Sequence, residues 1–471
     1  MSTLASNATP PRQFGYWTGH FVVMASMIGA GILVTSGYTL QATGNPVALL
    51  TLWILGGVMA LCGAVTVAEL ATCFPQAGGD YVFVREGFGR AAGFVAGWAT
   101  FTLGFCGPTA VVALVAATYL TAPFAAHLST ILPTWASGHV IPLGATYLIA
   151  GVTAAHCLGQ RESGRFQVAA TLAKVTLLVG LGAGGLAFGT GNWGHVLVGG
   201  WPTSAQWPSL ATGLIYVSYA YSGWNGAGYL AGELREPSKL LPRTLIGGTL
   251  SVVLLYILVN LAYVYALDPV EMTMRSPREV EKVAELAVVK LFGPTAAGLF
   301  GTLIGLGLVA SVSAYVLTGP RVTFAMGRDG CFPALAGILH ASRGIPVRAT
   351  LTQGSVAAAL VWSGSFLQLL DYTSVGLEAV SGLMVASVFP LRWRRDLSRP
   401  YRMPLFPLPP LFYLGLVGWT IAQQLAQPNR CMSALLSLGT LLAGVPLAWL
   451  FLRQPVKQAS PLPHRGTGSD K

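Results

Sequence analysis

Charge is scarce in this chain. Only 9% of its 471 residues are Asp, Glu, Lys or Arg, against roughly a quarter in a soluble globular protein. That excludes a soluble enzyme, a disordered chain and a coiled coil. Cysteine is sparse too: Cys62, Cys73, Cys106, Cys157, Cys331 and Cys431 show no CxxC spacing, so neither a disulfide framework nor a zinc site is expected. The seven histidines are scattered, with no HExxH pair. No lysine follows a glycine, which removes the phosphate-cradling GxxxxGK loop and an ATP-driven motor in this chain. Gly87-Phe88-Gly89 lacks the GxGxxG spacing and the flanking strand of a dinucleotide site. No cofactor and no metal are expected. The chain offers a pathway more than a reaction centre.

What is present is apolar. Hydrophobic residues make up 53% of the chain, with 58 glycines and a mean hydropathy of +0.62. The net charge of +11 raises nucleic acid as a partner, but basic residues spread along an apolar chain speak for membrane topology first. A helix needs about 20 apolar residues to cross about 30 Å of hydrocarbon. Twelve runs qualify, near 17–42, 46–72, 91–118, 140–158, 166–188, 209–231, 243–267, 295–326, 347–364, 366–391, 408–426 and 431–452. The expected fold class is therefore an all-α polytopic membrane protein. Residues 1–16 are polar, carry Pro10-Pro11 and lack an apolar core, so they read as a tail and not as a signal peptide.

Loop charge orients such a chain. With twelve spans, 21 of the 27 basic residues fall on the side of both termini and 5 on the other. This predicts a cell membrane protein with tails 1–16 and 453–471 in the cytoplasm. The largest outer loop, 268–293, alternates charge and apolar residues and reads as a cap carrying a short amphipathic helix over Val280–Leu291.

Two spans carry helix breakers at mid-depth. The first reads Ser26-Met27-Ile28-Gly29-Ala30-Gly31; the sixth reads Tyr219-Ala220-Tyr221-Ser222-Gly223-Trp224-Asn225-Gly226. Each Gly weakens a helix by about 1 kcal/mol relative to Ala. Such pairs also permit close helix packing. Unwound backbone inside a membrane is tolerated only where protein or a polar ligand covers it, and two breaks in corresponding halves point to a transporter site. Free N–H groups after the first break suit a carboxylate. Free carbonyls before the second suit an ammonium. Together they describe an α-amino acid.

Several motifs then resemble a known family. They are Gly29-Ala30-Gly31-Ile32; Ala68-Glu69-Leu70 through Phe74-Pro75-Gln76-Ala77-Gly78-Gly79-Asp80-Tyr81; and Tyr221-Ser222-Gly223-Trp224-Asn225 through Glu233-Leu234-Arg235-Glu236-Pro237. Further on come Leu317-Thr318-Gly319-Pro320-Arg321, Leu370-Asp371-Tyr372-Thr373-Ser374 and Arg399-Pro400-Tyr401-Arg402-Met403-Pro404. From about residue 15 to 410 the chain resembles the amino acid–polyamine–organocation superfamily, nearest the bacterial and L-type amino acid permeases. The resemblance implies a LeuT-like fold, with spans 1–5 (17–188) and 6–10 (209–391) as an inverted repeat and spans 11–12 (408–452) peripheral. It also implies that the substrate carboxylate meets the amides of Gly29, Ala30 and Gly31. The amino group would meet the carbonyls of Met27 and Tyr219, near Ala220 and Ser222. Trp224 would be an aromatic gate or a core residue, and Asn225 would bond the unwound backbone or the substrate.

Lys174 sits eight residues into its span, about 12 Å deep at 1.5 Å per residue. An ionisable group there is a functional candidate, with snorkelling as the alternative. By the same resemblance its ammonium would replace sodium, bridging helix 1 near Gly29 to helix 8 near Ser311 and Ser313, and it would be a candidate for releasing a proton. Glu378 departs from the family's apolar pattern and reads as a coupling acid or a counter-charge for cationic substrates. Asp371 reads as a helix cap, and Glu69 and Glu233 as gate residues pairing with Arg85, Arg235 or Arg243.

The expected function is sodium-independent secondary transport of amino acids, neutral because the residues at the breaks are small and uncharged, by proton symport or exchange. The expected partners are the substrate, the lipid bilayer and protons, without nucleic acid; no cysteine is placed to link a partner subunit. The rival within transport is a carrier of cationic amino acids or polyamines. A membrane enzyme would need a nucleophile–base pair and a channel a continuous polar lining; neither is visible.

Overall fold

A computed structural model describes residues 12 and 14–452, apart from 77, 125, 126, 128, 129, 132, 159–162, 199, 202–205, 341, 342 and 365. The expected tails, with most of 1–16 and all of 453–471, and the expected loop charge Arg161 lie outside the described residues. Those residues are helical and contain no strand, only an isolated parallel bridge between Phe14 and Leu234. Phe14 N–H donates to the Glu233 carbonyl at 3.0 Å, and Arg235 N–H to the Phe14 carbonyl at 3.1 Å.

Nine helices among the described residues are long and apolar enough to cross a membrane. The first is interrupted and consists of α1 (Tyr16–Met27) and α2 (Gly31–Thr43). Then come α3 (Pro46–Cys73), a short α4 (Asp80–Phe88), α5 (Arg90–Phe124), α6 (Val140–Leu158) and α7 (Val168–Phe188). After α8 (Trp207–Tyr221) and the single turn α9 (Gly226–Tyr229) follow α10 (Pro237–Ala266), α11 (Val283–Phe292) and α12 (Pro294–Arg328). The chain closes with α13 (Val347–Leu360), α14 (Phe366–Trp393), α15 (Leu408–Ala426) and α16 (Pro428–Leu452). Three of the twelve expected spans are not among the nine. The expected 209–231 stops as α8 after 15 residues, and the expected 347–364 is the 14-residue α13. The expected 408–426 is the 19-residue α15, whose prolines and glutamines lower its hydropathy.

Local chemistry sets the boundaries. Gly44 ends α2 in the left-handed region at φ 58°, where a side chain would be strained. Asn45 caps α3 by accepting from Ala48 N–H at 3.0 Å, and Pro46 fills the first helical position, where no N–H is required. The outer segment forms short helices and α11, which buries Val283, Ala284, Ala287, Val288 and Leu291, so the expected amphipathic helix is present three residues later than expected.

The interrupted helix sits at the centre. Its most apolar window is 94% buried inside the protein, against 17% for α16, so α1 and α2 are wrapped by protein and α16 lies at the periphery. α1 packs on α10 and α7, α2 on α8, and α12 on α5 and α7.

Candidate functional site

The first break is real. After Met27 the backbone leaves the helix at Ile28 (φ −76°, ψ 82°), and Gly29 N–H folds back onto the Met27 carbonyl at 2.8 Å. The amides of Ala30, Gly31 and Ile32 have no hydrogen-bond partner among the described residues, as expected of a restarted helix. The expected amide set thus shifts by one residue: Gly29 is used in the turn and Ile32 is free. Three successive carbonyls at this break are held by side chains. Tyr315 donates to Ser26 O at 3.2 Å, Tyr256 to Met27 O at 2.8 Å, and Lys174 Nζ to Ile28 O at 2.6 Å.

The second break follows Tyr221. Ser222 is extended, and Gly223 takes φ 95°, which demands glycine. Ser222 N–H returns to the Tyr219 carbonyl at 3.0 Å. The two breaks touch. A Cβ added at Gly31 would lie 2.4 Å from Ala220 Cα, and one at Gly223 would lie 2.5 Å from the Ser26 carbonyl oxygen. Tyr256 also bridges them, its hydroxyl lying 3.3 Å from the Ala220 carbonyl. Of the carbonyls expected to meet an amino group, Met27 O already accepts both Gly29 N–H and the Tyr256 hydroxyl, each at 2.8 Å, and has no lone pair left, whereas Tyr219 O accepts Ser222 N–H and keeps one.

A cavity of about 40 Å³ lies against these breaks. Its polar lining includes Ser26, Asp80, Thr100, Ser222, Asn225 and Tyr229, and Phe105, Trp224, Leu377 and Val380 supply apolar walls. Of the expected substrate residues, Ser222, Trp224 and Asn225 line it. Met27, Gly29, Ala30, Gly31, Tyr219 and Ala220 form the surrounding broken backbone instead. Ser26 lines the cavity, and its Oγ is buried without a partner among the described residues. Trp224 serves both alternatives: it faces the cavity, and its ring packs on Gly63 and edge-on to Tyr413 at 5.7 Å.

Asp80 was missed as a site residue. Its motif is visible in the sequence, but nothing there reveals depth. The carboxyl is 2% exposed and accepts from Thr100 Oγ1 at 3.0 Å and Asn225 Nδ2 at 3.1 Å. Tyr229 donates to it as well. Burial pushes its pKa up to about 6, against the pull of these donors. Asn225 bonds neither unwound backbone nor open cavity; its amide is given to Asp80 and to Tyr229 Oη at 3.1 Å.

Lys174 is 2% exposed and reaches inward, so it does not snorkel. Its Nζ donates to Ile28 O and to Ser311 Oγ at 2.7 Å, and Ser311 itself donates to Ile28 O at 2.8 Å. Gly307 leaves room for the lysine stem, 2.5 Å from where a Cβ would stand. Ser313 is a correction. Two residues on, it is turned about 200° round the helix and bonds His156 Nε2 at 2.8 Å instead.

The acids also differ from expectation. Glu378 accepts from Thr420 on α15 at 2.6 Å and does not line the cavity. Asp371 is no cap: it lies inside α14, accepting from Tyr216 at 2.9 Å and Arg430 at 3.0 Å. Glu69 pairs with Arg392 at 2.5 Å and accepts Met403 N–H at 2.8 Å; Glu233 pairs with Arg321 at 2.8 Å. Arg85 pairs with Glu86 and Asp329. None of the expected partners Arg85, Arg235 or Arg243 pairs with Glu69 or Glu233 in these contacts.

Comparison with known proteins agrees with this geometry. A family model described as amino acid permease matches residues 14–442. The chain is 27% identical to the Asc-type amino acid transporter 1 of Mus musculus, over 93% of this chain and 81% of that protein. It is 28% identical to the large neutral amino acids transporter small subunit 2 of Rattus norvegicus (93% and 80%) and 26% to the cystine/glutamate transporter of Homo sapiens (92% and 84%). A match across more than nine-tenths of the sequence, on a bundle of apolar helices, means that this chain belongs to the amino acid permease family and is a multi-pass membrane protein.

Proposed function

We propose that this protein moves neutral amino acids across the cell membrane by alternating access, independently of sodium. The observation that carries the reading is the pair of helix breaks meeting over one cavity, with three amides unpaired after the first. In this reading the substrate carboxylate docks on the amides of Ala30, Gly31 and Ile32, where the helix dipole favours an anion. The ammonium takes the spare lone pair of the Tyr219 carbonyl, and the side chain enters the cavity under Trp224. Lys174 stands where a coupling cation would, tying the first break to α12 through Ile28 O and Ser311.

The same reading takes twelve spans, counting α8 with α9, α13 and α15 as short ones. Residues 17–188 and 209–391 form the inverted LeuT-like repeat, 408–452 are peripheral, and both termini are cytoplasmic. The repeats rock about the site, and the pairs Glu233–Arg321 and Asp371–Arg430 open and close its two ends.

Neutrality is supported by the uncharged backbone site and by relatives whose names specify Asc-type and large neutral amino acids. A cationic or polyamine substrate with Glu378 as counter-charge is the weaker reading, because Glu378 faces Thr420 and not the cavity. The test is uptake into proteoliposomes with leucine, serine, arginine and putrescine, in sodium-free and sodium-containing buffer. Saturable, counterflow-stimulated uptake of neutral amino acids without sodium supports the proposal. A sodium requirement, or uptake of arginine and putrescine alone, refutes it.

A further inference from the structure

Among the described residues, Asp80, Lys174, His156 and Glu378 are buried ionisable side chains. Only Asp80 lines the cavity. Lys174 is committed to Ile28 O and Ser311, His156 to Ser313, and Glu378 to Thr420. The basic groups on the elements packed against α4 are also committed. Arg85 holds Glu86 and Asp329, Arg90 contacts Cys331, Arg321 holds Glu233, Arg328 lies over the Phe324 ring, and Arg392 holds Glu69. Asp371 and Tyr372 on α14 are bonded to Arg430 and Thr440, and Tyr413 of α15 stands near Asp80 with its hydroxyl. No cation pairs with Asp80 among the described residues.

We propose that Asp80 is the proton-binding site that couples substrate movement to a proton gradient. Its carboxyl takes a proton from water on the side where the cavity opens, carries it through the closed state, and returns it to water on the other side. This rests on the transport reading above.

The donor set suits both protonation states. A charged carboxylate accepts from Thr100, Asn225 and Tyr229 together. A protonated carboxyl must donate one bond, and the Thr100 hydroxyl can turn to accept it. The Asn225 NH2 group, which faces Asp80, can only donate. Its bond persists but loses the charge, which about halves its strength. Thr100 opens the widened turn Thr100–Cys106 of α5, and such turns recur at functional sites. Asn225 and Tyr229 belong to the second break. Gain of a proton therefore loosens the tie between α4 and the broken helix, which gives protonation a mechanical consequence. With a pKa of about 6, raised by burial, the neutral form dominates below that value.

The test uses the full chain in proteoliposomes loaded with a pH-sensitive dye, with leucine as substrate. Wild type should show leucine-driven proton entry and uptake at least about fivefold faster with acid outside. Asp80→Asn should lower the protons moved per leucine at least tenfold and lose the acid stimulation, whatever counterflow rate it retains. Asp80→Glu should restore proton movement with a shifted pH midpoint. Counterflow in wild type without proton movement overturns the assignment alone, as does gradient-driven accumulation by Asp80→Asn equal to wild type. Absence of counterflow in wild type overturns the transport reading and the assignment with it.

Discussion

Replacing Lys174 by methionine keeps most of the stem and removes the charge. The ammonium makes two short bonds, to Ile28 O at 2.6 Å and Ser311 Oγ at 2.7 Å. A buried hydrogen bond from a charged donor is worth about 1.5–3 kcal/mol. Ile28 O is not orphaned by the change, because Ser311 also donates to it at 2.8 Å, so no full desolvation penalty follows. The expected loss is therefore that of one charge-assisted bond at the break, about tenfold to about 150-fold in transport rate at 1.36 kcal/mol per decade. Ser311→Ala removes one neutral bond to Ile28 O, about 0.5–1.5 kcal/mol, and one acceptor of the Lys174 ammonium, but it leaves that ammonium on Ile28 O, so it should be the less damaging change. The assay is initial leucine uptake in proteoliposomes, normalised to folded protein by size-exclusion chromatography. If Lys174→Met transports at the wild-type rate, or if Ser311→Ala is the more damaging of the two, the bridge does not hold the break and the reasoning is wrong.

Three other outcomes follow from packing and pairing. Gly31→Ala drives a methyl within 2.4 Å of Ala220 Cα, whereas Gly29→Ala meets nothing nearer than 3.4 Å; the first should lose about 1–3 kcal/mol as a lower melting temperature in detergent, the second should not, and equal melting would contradict the close crossing. Glu233→Gln breaks an ion pair whose partners are both nearly buried and should cost about 3–5 kcal/mol, read in the same melting assay; an unchanged transition would show the pair to be idle. Glu378→Gln should leave the KM for leucine within about twofold, the effect of a residue outside the site, and a tenfold rise would place this acid in contact with substrate.

Much of this architecture is legible in the sequence because its signals are local. Gly29-Ala30-Gly31 and Ser222-Gly223 interrupt apolar runs, and Lys174 is a lone cation within one. Both breaks occur where those residues predict them. What depends on rotation about a helix or on distant chain is not legible. Ser311 and Ser313 look alike in sequence, yet two residues turn the second toward His156. Glu69 and Glu233 find Arg392 and Arg321, 323 and 88 residues away, while the arginines nearer in sequence look equally good. Asp80 follows two glycines between spans, a place that composition assigns to a loop, and only the fold of α4 carries it to the cavity. The expected length of span six fails for the reason that makes it interesting: the apolar pattern runs on through a helix that stops.

The pairing of Phe14 with residues 233–235 uses peptide groups only. The clasp that fastens the front of the chain to the stretch just beyond the second unwound segment therefore does not depend on which side chains stand at 14 and 235. Selection acting through ordinary substitutions cannot readily tune it. Loosening it calls for trimming the chain past residue 14, or for a proline at 14 or 235, each of which deletes one donor.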